Sequence, residues 1–402
     1  MSVSSNHVVR SAAARRHRAG EGARAAVARA LGRTDDRLLF YVVALTALGV
    51  FLVYTASFFS AGRLAGVGEI GDPYKYLKTQ ALYAACGIVL LLLASLLPPR
   101  FFYALARPAL FGALCLLVAV LIWGTSLGGS RRWLQVGSTV FQPSEFAKLA
   151  LVLYLARFLG DRWHEVRSLS ICARALAITA ALCIAVALEP DLGGAVMLLL
   201  IGLGMLFLAG ARLWQLGLFG MASAAAAVLY AGFHPYMKAR IDGWLDPLAH
   251  VQGAGYHVIR MLVALASGGV FGTGPGEGTQ KCYLPARHTD SIYCVLAEEF
   301  GIIGCGLLLL LLCIFARRAL EIAKHAPNRF SQLAAGGLAM AICVQALVNL
   351  GVSTGCLPVT GITLPFISGG GSSLMMVLIS AGIILSTSRV TRTARQDRRE
   401  PE

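Results

Sequence analysis

Charge is the first thing this sequence is short of. Only 14% of its 402 residues are Asp, Glu, Lys or Arg, against 57% hydrophobic, where a soluble domain carries about 25% charged residues. From Phe330 to Ser388 no residue is charged at all. A water-soluble fold is excluded, and a polytopic membrane protein is expected. Acidic residues are scarcer still, 20 Asp and Glu against 35 Lys and Arg. The resulting net charge of +15 does not point to nucleic acid, because the basic residues gather at the two ends and in alternate connections. That pattern orients a membrane protein. The ten cysteines show no metal-ligand spacing, and most sit in apolar runs as small buried hydrophobes. No apolar core with a cleavage site follows the Arg-rich residues 1–37, so they are expected to be a disordered cytoplasmic tail and not a signal peptide.

What is present is a series of apolar runs near the length of about 20 residues that spans a bilayer. They cover 38–60, 79–97, 101–125, 145–159, 168–188, 192–211, 214–233 and 291–315, with two more in 330–388 divided by Gly and Pro. The expected fold is all-α: ten transmembrane helices in a membrane domain over 38–388, a large outer loop at 234–290, and a cytoplasmic tail from 389. With both ends inside, the polar stretches 128–148, 189–191, 234–290 and 356–373 share the outer face. A cavity roofed by the long loop would collect them.

Each polar motif has a plain and a chemical reading. In Pro143-Ser144-Glu145-Phe146-Ala147-Lys148, Pro143 suits a helix start. Glu145 and Lys148 share a helical face, either as an interfacial ion pair or lining a cavity. Glu189-Pro190-Asp191 is either a tight turn or a functional one. The glycine-rich 268–278 lacks the Gly-Lys-Ser/Thr of a phosphate loop and reads as a flexible hinge or lid, while 255–265 reads as a short interfacial amphipathic helix. His288-Thr289-Asp290 closes the long loop, and Glu298 and Glu299 follow inside the next span. Acidic groups there are costly and need a reason. Asp290 is either a helix cap or a catalytic carboxylate.

Four signatures together resemble the SEDS family (shape, elongation, division and sporulation) of bacterial cell-wall polymerases, from about Leu38 to Arg389. They are Arg132-Trp133 with Phe141 to Lys148; Glu189-Pro190-Asp191-Leu192-Gly193; Gln280-Lys281 with Leu284-Pro285 and His288-Thr289-Asp290 through Gly301; and Asn349-Leu350-Gly351 with Leu357 to Gly361 and Leu364-Pro365-Phe366. The division branch fits better than the elongation branch, on the Arg-rich tail, Met205 to Gln215, and Thr363 before Leu364-Pro365. The chain departs from the pattern at Gly369, where Tyr is usual, at Ser291 and Tyr293, where Phe is common, at Arg260, where Gln is usual, and at Pro275-Gly276-Glu277-Gly278.

The resemblance implies that lipid II, a disaccharide-pentapeptide on undecaprenyl pyrophosphate, is polymerised outside the inner membrane at the division septum. It also implies a class B penicillin-binding protein and other divisome proteins as partners. Asp290 is expected as the general base. Lys148, Arg240, Lys281 and Arg287 are cations suited to a pyrophosphate, and Arg132, Glu145, His288, Thr289, Ser368 and Ser372 complete the expected substrate contacts. Glu189, Asp191, Glu298, Glu299, Gln345 and Asn349 are expected to line the cavity. A divalent ion (Mg or Mn) at Asp290 is a further expectation. A lipid II flippase, a divisome scaffold and an elongation role are the competing readings.

Overall fold

The computed structural model describes residues 34–64, 74–127, 130–137 and 139–397. The expected disordered tail falls almost wholly outside them, as do Gly128, Gly129 and residues 398–402. Helices dominate: α1 (Asp36–Leu64), α2 (Lys75–Leu96), α3 (Pro99–Trp123), α4 (Pro143–Asp161), α5 (Leu169–Ala187), α6 (Leu192–Leu208), α7 (Leu213–Phe233), α8 (Pro235–Leu245), α9 (Ala254–Gly268), α10 (Ile292–Lys324), α11 (Arg329–Ser353) and α12 (Gly371–Asp397). Their starts are written locally. Pro99 and Pro143 open α3 and α4, where a missing N–H costs nothing. Asp191 caps α6 by accepting from Gly194 N at 3.0 Å, and Asn328 caps α11 through Ser331 N at 2.8 Å.

Eight of these helices are long and apolar enough to cross a membrane. The other two expected spans fall short. α4 carries Glu145, Lys148, Arg157 and Asp161 in 19 residues, and α6 has 17 residues, roughly 26 Å at the helical rise. The chain is thus a multi-pass membrane protein with eight clear spans among its described residues. A short antiparallel meander absent from the all-α expectation, β1 (Thr125–Leu127), β2 (Ser130–Val136) and β3 (Thr139–Phe141), joins α3 to α4. Both described ends of the chain lie on one face: Asp35, Arg318 and Glu321 line a common cavity with Ser388 and Thr391.

Burial ranks the helices. The spans of α11 and α12 are 61% and 67% buried and form the inner pair, while only 6% of α7 is covered. The long outer loop is not a loop throughout. It holds α8, α9 and a 3₁₀ turn at Gln280–Cys282. α9 is the expected amphipathic helix, and it packs on protein: Val258, Met261 and Ala264 are buried at the spacing of one helical face.

The glycine-rich stretch departs most from expectation. α10 breaks at Gly301, where φ 63° and ψ −161° fall in a region essentially reserved for glycine. In an unbroken helix the N–H groups of Ile302 and Ile303 would bond to the carbonyls of Glu298 and Glu299. Here Ile302 N and Ile303 N donate instead to Gly269 O and Val270 O, at 3.1 and 3.3 Å, and the two vacated carbonyls accept from Thr273 N and Gly274 N, at 2.9 and 3.1 Å. The stretch is spliced into the helix and is neither hinge nor lid, because backbone groups at membrane depth must be satisfied within the protein. A Cβ on Gly301 would run into Val270 O, whereas Gly306 faces open space. Gly301→Ala is therefore expected to cost about 1–3 kcal/mol and to lower the thermal midpoint in detergent. Gly306→Ala should leave it unchanged or raise it.

Candidate active site

The outer loop is fixed to α10 by two adjacent carboxylates. Glu298 accepts from the backbone N–H groups of Gln280 and Lys281 at 2.7 and 3.0 Å. Glu299 pairs with Lys281 Nζ at 2.7 Å, with side chains 0% and 1% exposed. The same ammonium donates to Gly276 O at 2.6 Å and Thr55 O at 3.2 Å. Sequence reasoning makes Lys281 a substrate cation and the two glutamates cavity-lining groups. The structure encloses all three and uses them to lock loop, α10 and α1 together. Gly278 leaves room for the lock, since a Cβ there would meet Glu298 Cδ at 2.7 Å.

That lock positions Asp290 at the loop–helix junction. The helix starts at Ile292, and no side-chain cap closes it, so the carboxylate is not committed to capping. Asp290 is 8% exposed. Thr289 Oγ1 lies 3.1 Å from its Oδ1 and 3.0 Å from Ala286 O, one hydroxyl proton between two acceptors. Among the described residues no cation pairs with it. The preceding turn holds Ala286 at φ 48°, a left-handed conformation costly for a side-chain-bearing residue and typical of backbone over-determined by its surroundings.

α11 and the segment after it supply those surroundings. Asn349 Nδ2 donates to the backbone carbonyls of Asp290 and Ile362 at 2.9 and 2.7 Å. One turn earlier, Gln345 donates to Thr363 O at 3.0 Å and accepts from Lys148 Nζ at 2.8 Å. Lys148 also pairs with Glu145 at 2.9 Å, and a cavity of about 30 Å³ opens beside them. Ser368 Oγ donates to Thr289 O at 2.6 Å and accepts from Leu364 N at 2.7 Å, so its hydroxyl braces the junction. Ser372 is buried at the start of α12. Gly369 N donates to His288 O at 2.6 Å, and a Cβ at Gly369 would approach that oxygen to 2.7 Å. This chain thus seats a glycine against the junction where the family pattern has Tyr.

Two arginines from the loop complete the rim. Arg240 Nη1 donates to Val359 O at 3.0 Å, and Arg287 is half-buried beside the 3₁₀ turn. Burial, with a smaller contribution from Arg287, holds the His288 pKa below its usual value against the opposing pull of Asp290. His257, which sequence reasoning passed over, places Nε2 2.8 Å from Ser291 Oγ. Only its amphipathic helix was legible, not the face it presents. The third group lies at a different edge. Arg132 pairs with Asp191 at 3.3 Å, and Gln142 reaches the same carboxylate at 3.4 Å. Glu189 is fully buried, and both of its carboxylate oxygens lack a hydrogen-bond partner. Burial, reinforced by Asp191 and opposed by Arg132, pushes its pKa from 4.5 up to about 8.

No group of three or more His, Cys, Asp and Glu suited to a metal occurs among the described residues. Glu298 and Glu299, the nearest carboxylates in sequence, are committed to the loop lock. The donor set around Asp290 does not fit an all-protein divalent site.

Two outcomes follow from these charges. Lys281→Met leaves Glu299 buried and unpaired, which typically costs about 3–5 kcal/mol; the thermal midpoint should fall sharply and recover in part in Lys281→Met/Glu299→Leu. Glu189 is protonated in the fold and ionised in the unfolded chain at neutral pH. Its stabilisation is complete below pH 4.5 and is lost as pH rises towards 8. Glu189→Gln should flatten the decline of thermal stability over that window.

Known proteins repeat this architecture. The model of the cell cycle protein family of FtsW, RodA and SpoVE matches residues 36–393. The chain is 37% identical over 358 residues to the probable peptidoglycan glycosyltransferase FtsW of Coxiella burnetii, covering 87% of this chain and 95% of that protein. It is 36% identical over 369 residues to stage V sporulation protein E of Bacillus subtilis, covering 90% and 99%. A solved structure described as showing the coordination of polymerization and crosslinking by a peptidoglycan synthase complex superposes with a TM-score of 0.72 at 32% identity, covering 89% of this chain and 98% of that one. The spliced helix, the buried carboxylates and the junction at Asp290 are thus features of a chain that belongs to the FtsW, RodA and SpoVE family of cell cycle proteins and is most like FtsW.

Proposed function

We propose that this protein is a peptidoglycan glycosyltransferase that polymerises lipid II, with Asp290 as general base, during septal wall synthesis. The activity is the one carried in the names of its FtsW relatives. The observation supporting the base is the state of Asp290 itself: a nearly buried carboxylate, neither capping a helix nor ion-paired. Its backbone carbonyl is held by Asn349 and the preceding residue by Ser368. A base must be ionised, positioned and not already engaged by a cation.

The chemistry asks for one such group. The acceptor 4-hydroxyl attacks the anomeric carbon of an α-linked donor, and Asp290 takes the hydroxyl proton. The bond from that carbon to the pyrophosphate oxygen breaks, and the lipid pyrophosphate leaves with the electron pair. A β-linked glycan results from this single inversion. Arg240 and Arg287 at the rim suit the departing pyrophosphate, since guanidinium groups bind such oxygens in pairs. Lys148 is bridged to Glu145 and Gln345 and fits the positioning of the 360–364 segment. A class B penicillin-binding protein and divisome proteins are the proposed partners, and a cytoplasmic location of both ends at the inner membrane fits the basic clusters there.

A flippase needs a route of hydratable polar groups through the spans. Here Glu298, Glu299 and Lys281 are enclosed and mutually paired, an arrangement that favours the enzyme reading.

Purified protein with its transpeptidase partner, given labelled lipid II, tests the proposal. Wild type should yield glycan polymer, and Asp290→Asn should lose it by about 10²-fold or more while keeping its thermal midpoint. Undiminished polymer from Asp290→Asn removes Asp290 as the base, and transfer of lipid II across vesicles without polymer favours the flippase.

A further inference from the structure

The residue that joins the outer loop to the catalytic junction is His257. Its ring lies on α9, and Nε2 sits 2.8 Å from Ser291 Oγ. The same hydroxyl donates to Pro285 O at 3.0 Å. A serine has one proton to give, so towards His257 the oxygen can only accept. The ring nitrogen facing it therefore carries the hydrogen, and the chain of bonds runs Nε2–H to Oγ–H to the carbonyl of Pro285. It spans the base of the turn that ends in Asp290. Burial keeps the ring pKa below its ordinary value, with Asp290 pulling it up and Arg240 pushing it down. Two nearby cations are engaged elsewhere. Arg260 on α9 stacks on Tyr256 and Tyr283, and Lys281 on the 3₁₀ turn is paired with Glu299. Ser291 stands where the family pattern has Phe, which could accept no such bond.

We propose that His257 is a positioning residue for Asp290, clamping α9 to the Pro285–Ser291 turn through Ser291 Oγ and so fixing the direction of the base towards the acceptor hydroxyl. The role rests on the reading of Asp290 as the base. Without the clamp the turn is still tied through Asn349 and Ser368, so the lipid substrate should bind as before while the chemical step slows. Misplacement by even 1 Å can cost 10²-fold in rate.

The test is lipid II polymerisation by the full chain with its partner, reported as kcat and KM, with Asp290→Asn run alongside. His257→Ala should lower kcat about tenfold or more with KM within about twofold, consistent with a positional loss. His257→Gln keeps an N–H donor at the same reach and should restore most of kcat. His257→Ala/Ser291→Ala should be no slower than the poorer single variant, as expected when two residues act through one bond. Wild-type kcat in His257→Ala, a loss confined to KM, or a glutamine variant as slow as the alanine overturns the proposal. If His257→Ala fails to fold, Ser291→Ala, which deletes only a hydroxyl, decides it by the same kcat criterion. Activity retained in Asp290→Asn defeats the underlying base assignment separately, whatever the His257 series shows.

Discussion

The structure depends on how α10 accommodates a break in the membrane. A helix satisfies its own backbone groups, and interrupting one in an apolar setting leaves orphaned N–H and C=O groups, each costing several kcal/mol. The outer loop fills that need. Its glycine-rich stretch supplies two carbonyls and two N–H groups at the break, and Glu298 and Glu299 on the neighbouring turn bind the 3₁₀ turn that follows. The glycines permit the approach, because side chains at Gly272 or Gly301 would strike backbone. Loop and helix are one folded unit, and the junction at Asp290 inherits its rigidity from both.

The second element of order is α11. Gln345 and Asn349 lie one turn apart on its buried face, and each grips the 362–363 segment. One reaches on to Lys148, the other to the carbonyl of Asp290. Two groups that sequence places far from each other, the ion pair of α4 and the backbone of Asp290, are thereby held by a single rigid helix. In a low-dielectric interior such hydrogen bonds are strong and specific, and a buried polar group left unpaired is costly. Glu189, beside Asp191 at the other edge, is such a group, with both carboxylate oxygens unpartnered and its pKa raised by burial to about 8.

Two departures from the family pattern, Gly369 and Ser291, lie at the junction. Gly369 brings its backbone within hydrogen-bonding distance of His288 O, and Ser291 accepts from His257. Both place small or polar groups where larger rings are usual. The junction is built in this chain from hydrogen bonds of backbone and side chain.

Much of this was legible in the residues alone. Hydropathy dictates the spans, because a bilayer demands a minimum apolar length. Proline and Asx residues mark helix starts, since local bonds decide caps. The junction carboxylate stood out because charge at that depth is expensive. The pattern around Asp290 gave its neighbours His288 and Thr289 by adjacency. The destination of the inward-facing groups was not legible. Lys281, Glu298 and Glu299 look like site residues by type and spacing, yet they are enclosed as a brace, and Ser368 turns its hydroxyl to the backbone. The break at Gly301, the splice of the glycine-rich stretch and the placement of His257 depend on contacts between segments distant in sequence. Helical periodicity fixes which face a residue occupies. Only tertiary packing decides what that face meets, because a hydrogen bond across 30 or 200 residues leaves no local trace in the chain.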